Sequence, residues 1–146
     1  MKILVEAMLL VGGALSGFAL AQTDAPQPIL IESLHWTSPP IPGLQVAWVL
    51  GSEQHTGLYV LRVRLDEGAR IPPHTHPDER HTTVLAGTIF VGFGERFDKP
   101  KLVAIPTGAV YVAPAGIPHY LWAKKGHVVY QESGFGPTGT VISEPE

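Results

Sequence analysis

Residues 57–66 read GLYVLRVRLD, and in an extended chain Leu61, Val63 and Leu65 fall on one face while Arg62 and Arg64 fall on the other. Alternation of period two describes a strand with one face in a core and one in water. Working outward, short β-rich runs recur at 44–50, 81–86, 88–93, 101–105, 109–113, 119–123, 127–131 and 138–142, each bounded by Gly, Pro or a charged turn. No apolar stretch of period 3.6 is long enough to predict a helix. The chain is therefore expected to be all-β, a barrel or sandwich of many short strands. Its 16 glycines and 14 prolines supply the turns such a fold needs. Residues 37–43, TSPPIPG, read as a stiff surface loop, and 94–100, GERFDKP, as a solvated hairpin connection.

The composition narrows the chemistry. With 146 residues, 45% of them hydrophobic, the chain can bury one core and is too short for two. A net charge of −3 leaves no basic surplus to neutralise phosphates, so nucleic acid is not an expected partner. The absence of cysteine excludes disulfides, thiolate metal sites and a cysteine nucleophile. The seven histidines remain to be explained.

At the amino terminus, Lys2 precedes a largely apolar run, residues 3–21, broken by Glu6 and ending in Ala19-Leu20-Ala21, the small-x-small form of a signal-peptidase site. Residues 1–21 are expected to be a signal peptide cleaved after Ala21, or an uncleaved N-terminal anchor, and the mature protein to be exported to the periplasm or secreted. The run is too short and too rich in Gly and Ala to favour a stable membrane span. Residues 22–43 read as a lead-in with an N-terminal strand or loop, and 44–146 as the barrel domain.

The histidines cluster in PPHTHPDERH, residues 72–81. His74 and His76 stand two apart, so in a strand both imidazoles project from one face and can share a metal ion. His81 follows shortly after, and His119 lies far along the chain in PAGIPHY. These residues resemble the cupin family. Its first motif, Gly-x5-His-x-His-x(3 or 4)-Glu-x6-Gly, is met by Gly68, His74, His76 and Gly87, and its second, Gly-x5-Pro-x-Gly-x2-His-x3-Asn, by Gly108, Pro114, Gly116 and His119. The resemblance covers residues 44–131 and implies a double-stranded β-helix, or jelly-roll, barrel with a metal in its interior. By that likeness His74, His76 and His119 are expected ligands, and a homodimer is expected.

Two positions depart from the motifs. At the family's glutamate, leaving four intervening residues after His76 reaches His81, whereas leaving six before Gly87 reaches Arg80. Glu79 and His81 share parity in an extended strand, so His81, or failing that Glu79, is expected to complete the ligand set. Ala123 replaces the asparagine of the second motif. Imidazole ligands suit iron, zinc, copper or nickel, and manganese returns if Glu79 ligates. Arg80 and Asp78 are expected at the barrel mouth, as an ion pair or as an anchor for an anionic substrate. Leu121 and Ala123 share the parity of His119, while Tyr111, Tyr120, Trp122, Phe90 and Phe93 either wall a ligand pocket or belong to the core. The expected function is that of a metal-dependent, oxygenase-like enzyme acting on a small organic molecule, with Glu79 or a metal-bound water as base. A noncatalytic module that binds or senses a ligand or metal in the cell envelope is the alternative.

Overall fold

A computed structural model describes residues 25–143. Its strands are β1 (Leu44–Leu50), β2 (Gly57–Leu65), β3 (Arg70–Thr75), β4 (Arg80–Ala86), β5 (Thr88–Phe93), β6 (Val103–Pro106), β7 (Val110–Ala113), β8 (His119–Trp122), β9 (Val128–Gly136) and β10 (Val141–Ile142). They form two five-stranded antiparallel sheets, ordered β1-β2-β9-β4-β7 and β10-β3-β8-β5-β6. Short 3-10 turns occur at Ile31–Ser33 and Lys99–Lys101. Among the described residues no helix is long and apolar enough to cross a membrane. The expected all-β, double-sheet architecture is the one observed. Residues 1–21, with the proposed cleavage site, lie outside the described residues.

The core lies between the sheets. Tyr59, Leu61, Val63 and Leu65 of β2 face it, together with Val84 of β4, Ile89 and Val91 of β5, Leu121 of β8, and Val128 and Tyr130 of β9. Burying each aliphatic side chain of this size stabilises the fold by roughly 1.5–3 kcal/mol. Alternation is what puts them there: on β2 every second residue is buried, and Arg62 and Arg64 point outward, Arg64 stacking on Trp36 with 3.8 Å to the ring centroid.

Two strands were masked in the sequence by residues that break the β pattern. β3 carries Pro72 and Pro73, which have no N–H to give a ladder. The β3–β8 register accordingly shifts between Ile71 and His74, and beyond the irregularity His74 stands directly opposite His119. β9 runs well past the predicted end at 131 because Gly134 continues it on the inward face, where a Cβ would collide with the Tyr59 hydroxyl and the Asp78 carboxylate.

Two loops are more than solvated connections. The 94–101 connection folds back so that Phe97 stacks on Tyr120, with ring centroids 4.9 Å apart, and the Asp98 carbonyl accepts a hydrogen bond from the Tyr120 hydroxyl at 3.0 Å. Residues 37–41 are held to β1 by a bridge between Thr37 and Val46 and line the mouth of the interior cavity.

Candidate metal centre

The ladder between β3 and β8 sets the centre. It places His74 against His119, and His76 follows where the chain leaves β3. The three rings converge, with centroids 4.2 Å apart for His74–His119, 4.9 Å for His74–His76 and 5.2 Å for His76–His119. One nitrogen from each ring lies within 4.8 Å of the others. All three residues are buried, at 4, 4 and 1% exposure for His74, His76 and His119.

Each ring is oriented by a backbone carbonyl. The Nδ1 atoms of His74, His76 and His119 lie 2.8, 2.8 and 3.1 Å from the carbonyl oxygens of Pro72, Gly139 and Ile117. A carbonyl only accepts, so each Nδ1 carries the proton and each Nε2 keeps its lone pair. Burial holds the imidazoles neutral: the pKa values of His74 and His76 are lowered to about 3, first by desolvation and then by the neighbouring His119 and Arg80 respectively, and that of His119 is lowered by desolvation. The Nε2 atoms of His76 and His119 are buried with no hydrogen-bond partner. Buried nitrogen lone pairs that bond to nothing are costly, and two of them in a cluster with a nitrogen of the third ring within 4.8 Å fit a transition-metal ion. The donor set therefore fits the ion that the sequence resemblance implies.

His74 and His76 line an interior cavity of about 600 Å3, and His119 packs against His74. Leu44, Val46, Trp48, Leu61, Val63 and Ile71 give it an apolar side, and Arg80, Glu132 and Thr138 a polar one. Arg80 is buried and donates from Nη1 to Oε2 of Glu132 at 2.8 Å, and from Nη2 to Oγ1 of Thr138 at 2.9 Å and the Gly139 carbonyl at 3.2 Å. Asp78 accepts hydrogen bonds from the hydroxyls of Tyr59 and Thr138 and stands 3.9 Å from Arg80 Nε. Burial opposes the charge on Arg80, but Glu132, Tyr59 and Asp78 outweigh it and raise its pKa. The C-terminal segment closes this network, since Gly139 serves both His76 and Arg80 while β10 pairs along β3 at Val141–Thr75 and Ile142–His74.

Several expectations are corrected. His81 and Glu79 do not join the histidines: their side chains are 56% and 54% exposed and contact each other at 3.0 Å on the outside of β4. The inward residues of β4 are Arg80, Thr82 and Val84, so the count back from Gly87 describes the strand and parity sends Glu79 and His81 to water. Glu79 thus has no access to act as a base in the cavity. Tyr111, Tyr120, Trp122, Phe90 and Phe93 do not line the cavity, whose aromatic residues are Trp48 and Tyr130. Asp78 and Arg80 do approach each other, but the close partner of Arg80 is Glu132. Sequence reasoning missed Glu132. Its parity with Val128 and Tyr130 would have placed it inside had β9 been extended beyond residue 131.

Comparison with known proteins agrees with this architecture. A family model described as a cupin domain matches residues 61–130. The chain carries a cupin domain. It is 31% identical over 67 residues to germin-like protein 3-1 of Oryza sativa subsp. japonica, a stretch covering 45% of this chain and 30% of that protein. It thus spans less than half the length of such curated relatives. Among solved structures, this cupin superposes on the DMSP lyase DddQ from Ruegeria pomeroyi with a TM-score of 0.65 at 18% identity, covering 79% of this chain and 64% of that one. It also superposes on a salicylate 1,2-dioxygenase from Pseudaminobacter salicylatoxidans with a TM-score of 0.60 at 16% identity, covering 73% and 32%. These likenesses establish the fold. One is a lyase and the other a dioxygenase, so the barrel alone does not select the reaction.

Proposed function

We propose that this cupin is a metal-dependent, oxygenase-like enzyme acting on a small organic molecule, with one divalent transition metal ion held by His74, His76 and His119. The observation that carries the reading is the pair of buried Nε2 atoms, on His76 and His119, that bond to nothing, in a cluster whose His74 and His76 line a cavity of about 600 Å3. The all-imidazole set suits iron, zinc, copper or nickel, and the manganese alternative lapses with Glu79 turned outward. When bound, such an ion supplies Lewis acidity and, if redox-active, electrons. The chain's own residues do the rest. The carbonyls of Pro72, Gly139 and Ile117 fix the rings, the apolar wall keeps bulk water from a bound molecule, and Glu132 is the carboxylate placed to accept a proton inside the cavity.

The same reading has the chain exported to the periplasm or secreted after cleavage behind Ala21, and working as a homodimer. Its test is elemental analysis of the protein expressed full-length without a histidine tag, beside the His74→Ala/His119→Ala double variant. About one equivalent of metal in the parent and none in the variant is expected, followed by metal-dependent dioxygen uptake in a screen of small organic molecules. No metal in either protein after incubation with each ion overturns the proposal. Metal binding and ligand-dependent stabilisation with no turnover in any screen would establish the noncatalytic module instead. N-terminal sequencing of the recovered protein tests cleavage, and sedimentation equilibrium tests the dimer.

A further inference from the structure

We propose that the cavity receives a small organic monoanion, its charged head lodged between the three imidazoles and the Arg80 guanidinium and its body against the apolar wall. The proposal rests on the metal-site reading above and deepens it.

The residue on β4 favours an anion. Where the sequence pattern calls for a carboxylate, the inward position is Arg80, and it lines the cavity. A carboxylate there would cancel part of an ion's charge; a guanidinium adds to it. Arg80 also keeps unused donor capacity. A guanidinium has five N–H groups in a fixed fork. Nη1 is engaged by Glu132, and Nη2 by Thr138 and Gly139, but Nε is buried without a hydrogen-bond partner, its nearest carboxylate oxygen, on Asp78, lying 3.9 Å away. An unmade donor at that depth is a standing penalty that an oxyanion can remove.

The enclosed charge points the same way. With the imidazoles neutral, Arg80 contributes +1, and Glu132 and Asp78 contribute −1 each, so the buried site carries −1 alone and +1 once a divalent ion is bound. Glu53 also lines the cavity, but it is exposed on its loop and screened by water. A monoanion therefore neutralises the loaded site, and the unloaded site repels it. The apolar part of the lining, Leu44, Val46, Trp48, Leu61, Val63 and Ile71, offers nothing polar from a side chain beyond the Trp48 indole and suits a hydrocarbon body. Anion recognition is thus predicted to depend strictly on the metal.

The test compares acids with their isosteric amides. The full chain loaded with zinc, which is redox-inert, is titrated calorimetrically with benzoate, phenylacetate and hexanoate and with benzamide, phenylacetamide and hexanamide, and melting temperatures are recorded in parallel. At least one acid is expected to bind about tenfold or more tightly than its amide and to raise the melting temperature, and none to bind the metal-free protein. The Arg80→Met/Glu132→Leu variant removes the pair without changing net charge. It is expected to take up zinc normally and to lose about tenfold in affinity for the acid. Acids and amides binding alike, neither binding, or the acid binding equally without zinc would overturn the anion proposal while the zinc measurement leaves the metal site standing. Failure of the protein to take up zinc or any other ion would instead overturn the metal reading beneath it. The acid–amide comparison uses the unaltered chain, so it decides even if the variant does not fold.

Discussion

The two walls of the cavity bury polar groups in opposite ways. On the wall formed by β3 and β8, three imidazoles are kept neutral, each giving its one proton to a backbone carbonyl and leaving a lone pair free. On the facing wall, from β4 and β9, full charges are buried as a pair: Arg80 and Glu132 meet at 2.8 Å with side chains 5% and 6% exposed. A neutral ring left with an unmade lone pair costs less than a buried ion left without its counter-charge. The difference teaches that the first wall lacks its partner altogether, whereas the charge of the second is already paired within the chain and only the Arg80 Nε donor is left over. It also predicts that the two walls fail differently when disturbed.

The largest effect should come from breaking the paired wall on one side. Arg80→Met leaves Glu132 buried without its counter-charge and is expected to destabilise the fold by about 3–5 kcal/mol, whereas Arg80→Met/Glu132→Leu should recover most of that loss because no ion is left unpaired. Equilibrium urea unfolding of the three proteins measures both numbers. A single variant as stable as the parent would mean that water reaches the pair and that the two walls are not different after all.

The neutral wall should respond to pH instead. His74 and His76 have folded-state pKa values lowered to about 3, against about 6.5 for an unfolded histidine, so between these values the unfolded chain binds more protons than the folded one. Their contribution is whole above about pH 6.5 and is lost as pH falls toward 3. The slope is at most about 1.4 kcal/mol per pH unit for each histidine. Metal-free protein should therefore lose about 2 kcal/mol between pH 6.5 and 5.5, where an unfolded histidine passes from half to almost full protonation, and the His74→Ala/His76→Ala variant should show a much flatter profile over the same interval. Equal slopes for the two proteins would show that the imidazoles protonate freely in the folded state.

How much of this could be read from the chain follows from the same contrast. The alternation in β2, the His-x-His pair and the distant His119 were all legible, because strand parity and metal-ligand spacing are local patterns. The meeting of His74 with His119 was legible only through family resemblance. In physical terms it depends on a register shift at Pro72 and Pro73 that the sequence by itself would score as the end of a strand. The charged wall was nearly invisible. Arg80 was visible as one of two conflicting counts, and Glu132 lay beyond the predicted end of its strand, where Ser133 and Gly134 look like a turn. Gly134 continues the strand because Tyr59 and Asp78 occupy the space a side chain would need, a reason that exists only in three dimensions. The cavity mouth escaped notice likewise, since the proline-rich 37–41 segment looks like any surface loop until its bridge to Val46 is formed.

The smallest predicted effect is the sharpest check on where the two walls end. His81 is separated from Arg80 by one position on β4, so the pleat alone decides that Arg80 enters the cavity and His81 faces water beside Glu79. An exposed histidine–carboxylate contact stabilises little, so His81→Ala and Glu79→Ala should each change stability by no more than about 0.5 kcal/mol and leave metal content unchanged. His76→Ala, five residues away, should remove the metal. Elemental analysis and urea unfolding of the three variants put the comparison on one scale. Loss of metal in His81→Ala would require β4 to slip by one residue, and a slip of one residue would also carry Arg80 out of the cavity and dissolve the charged wall with it.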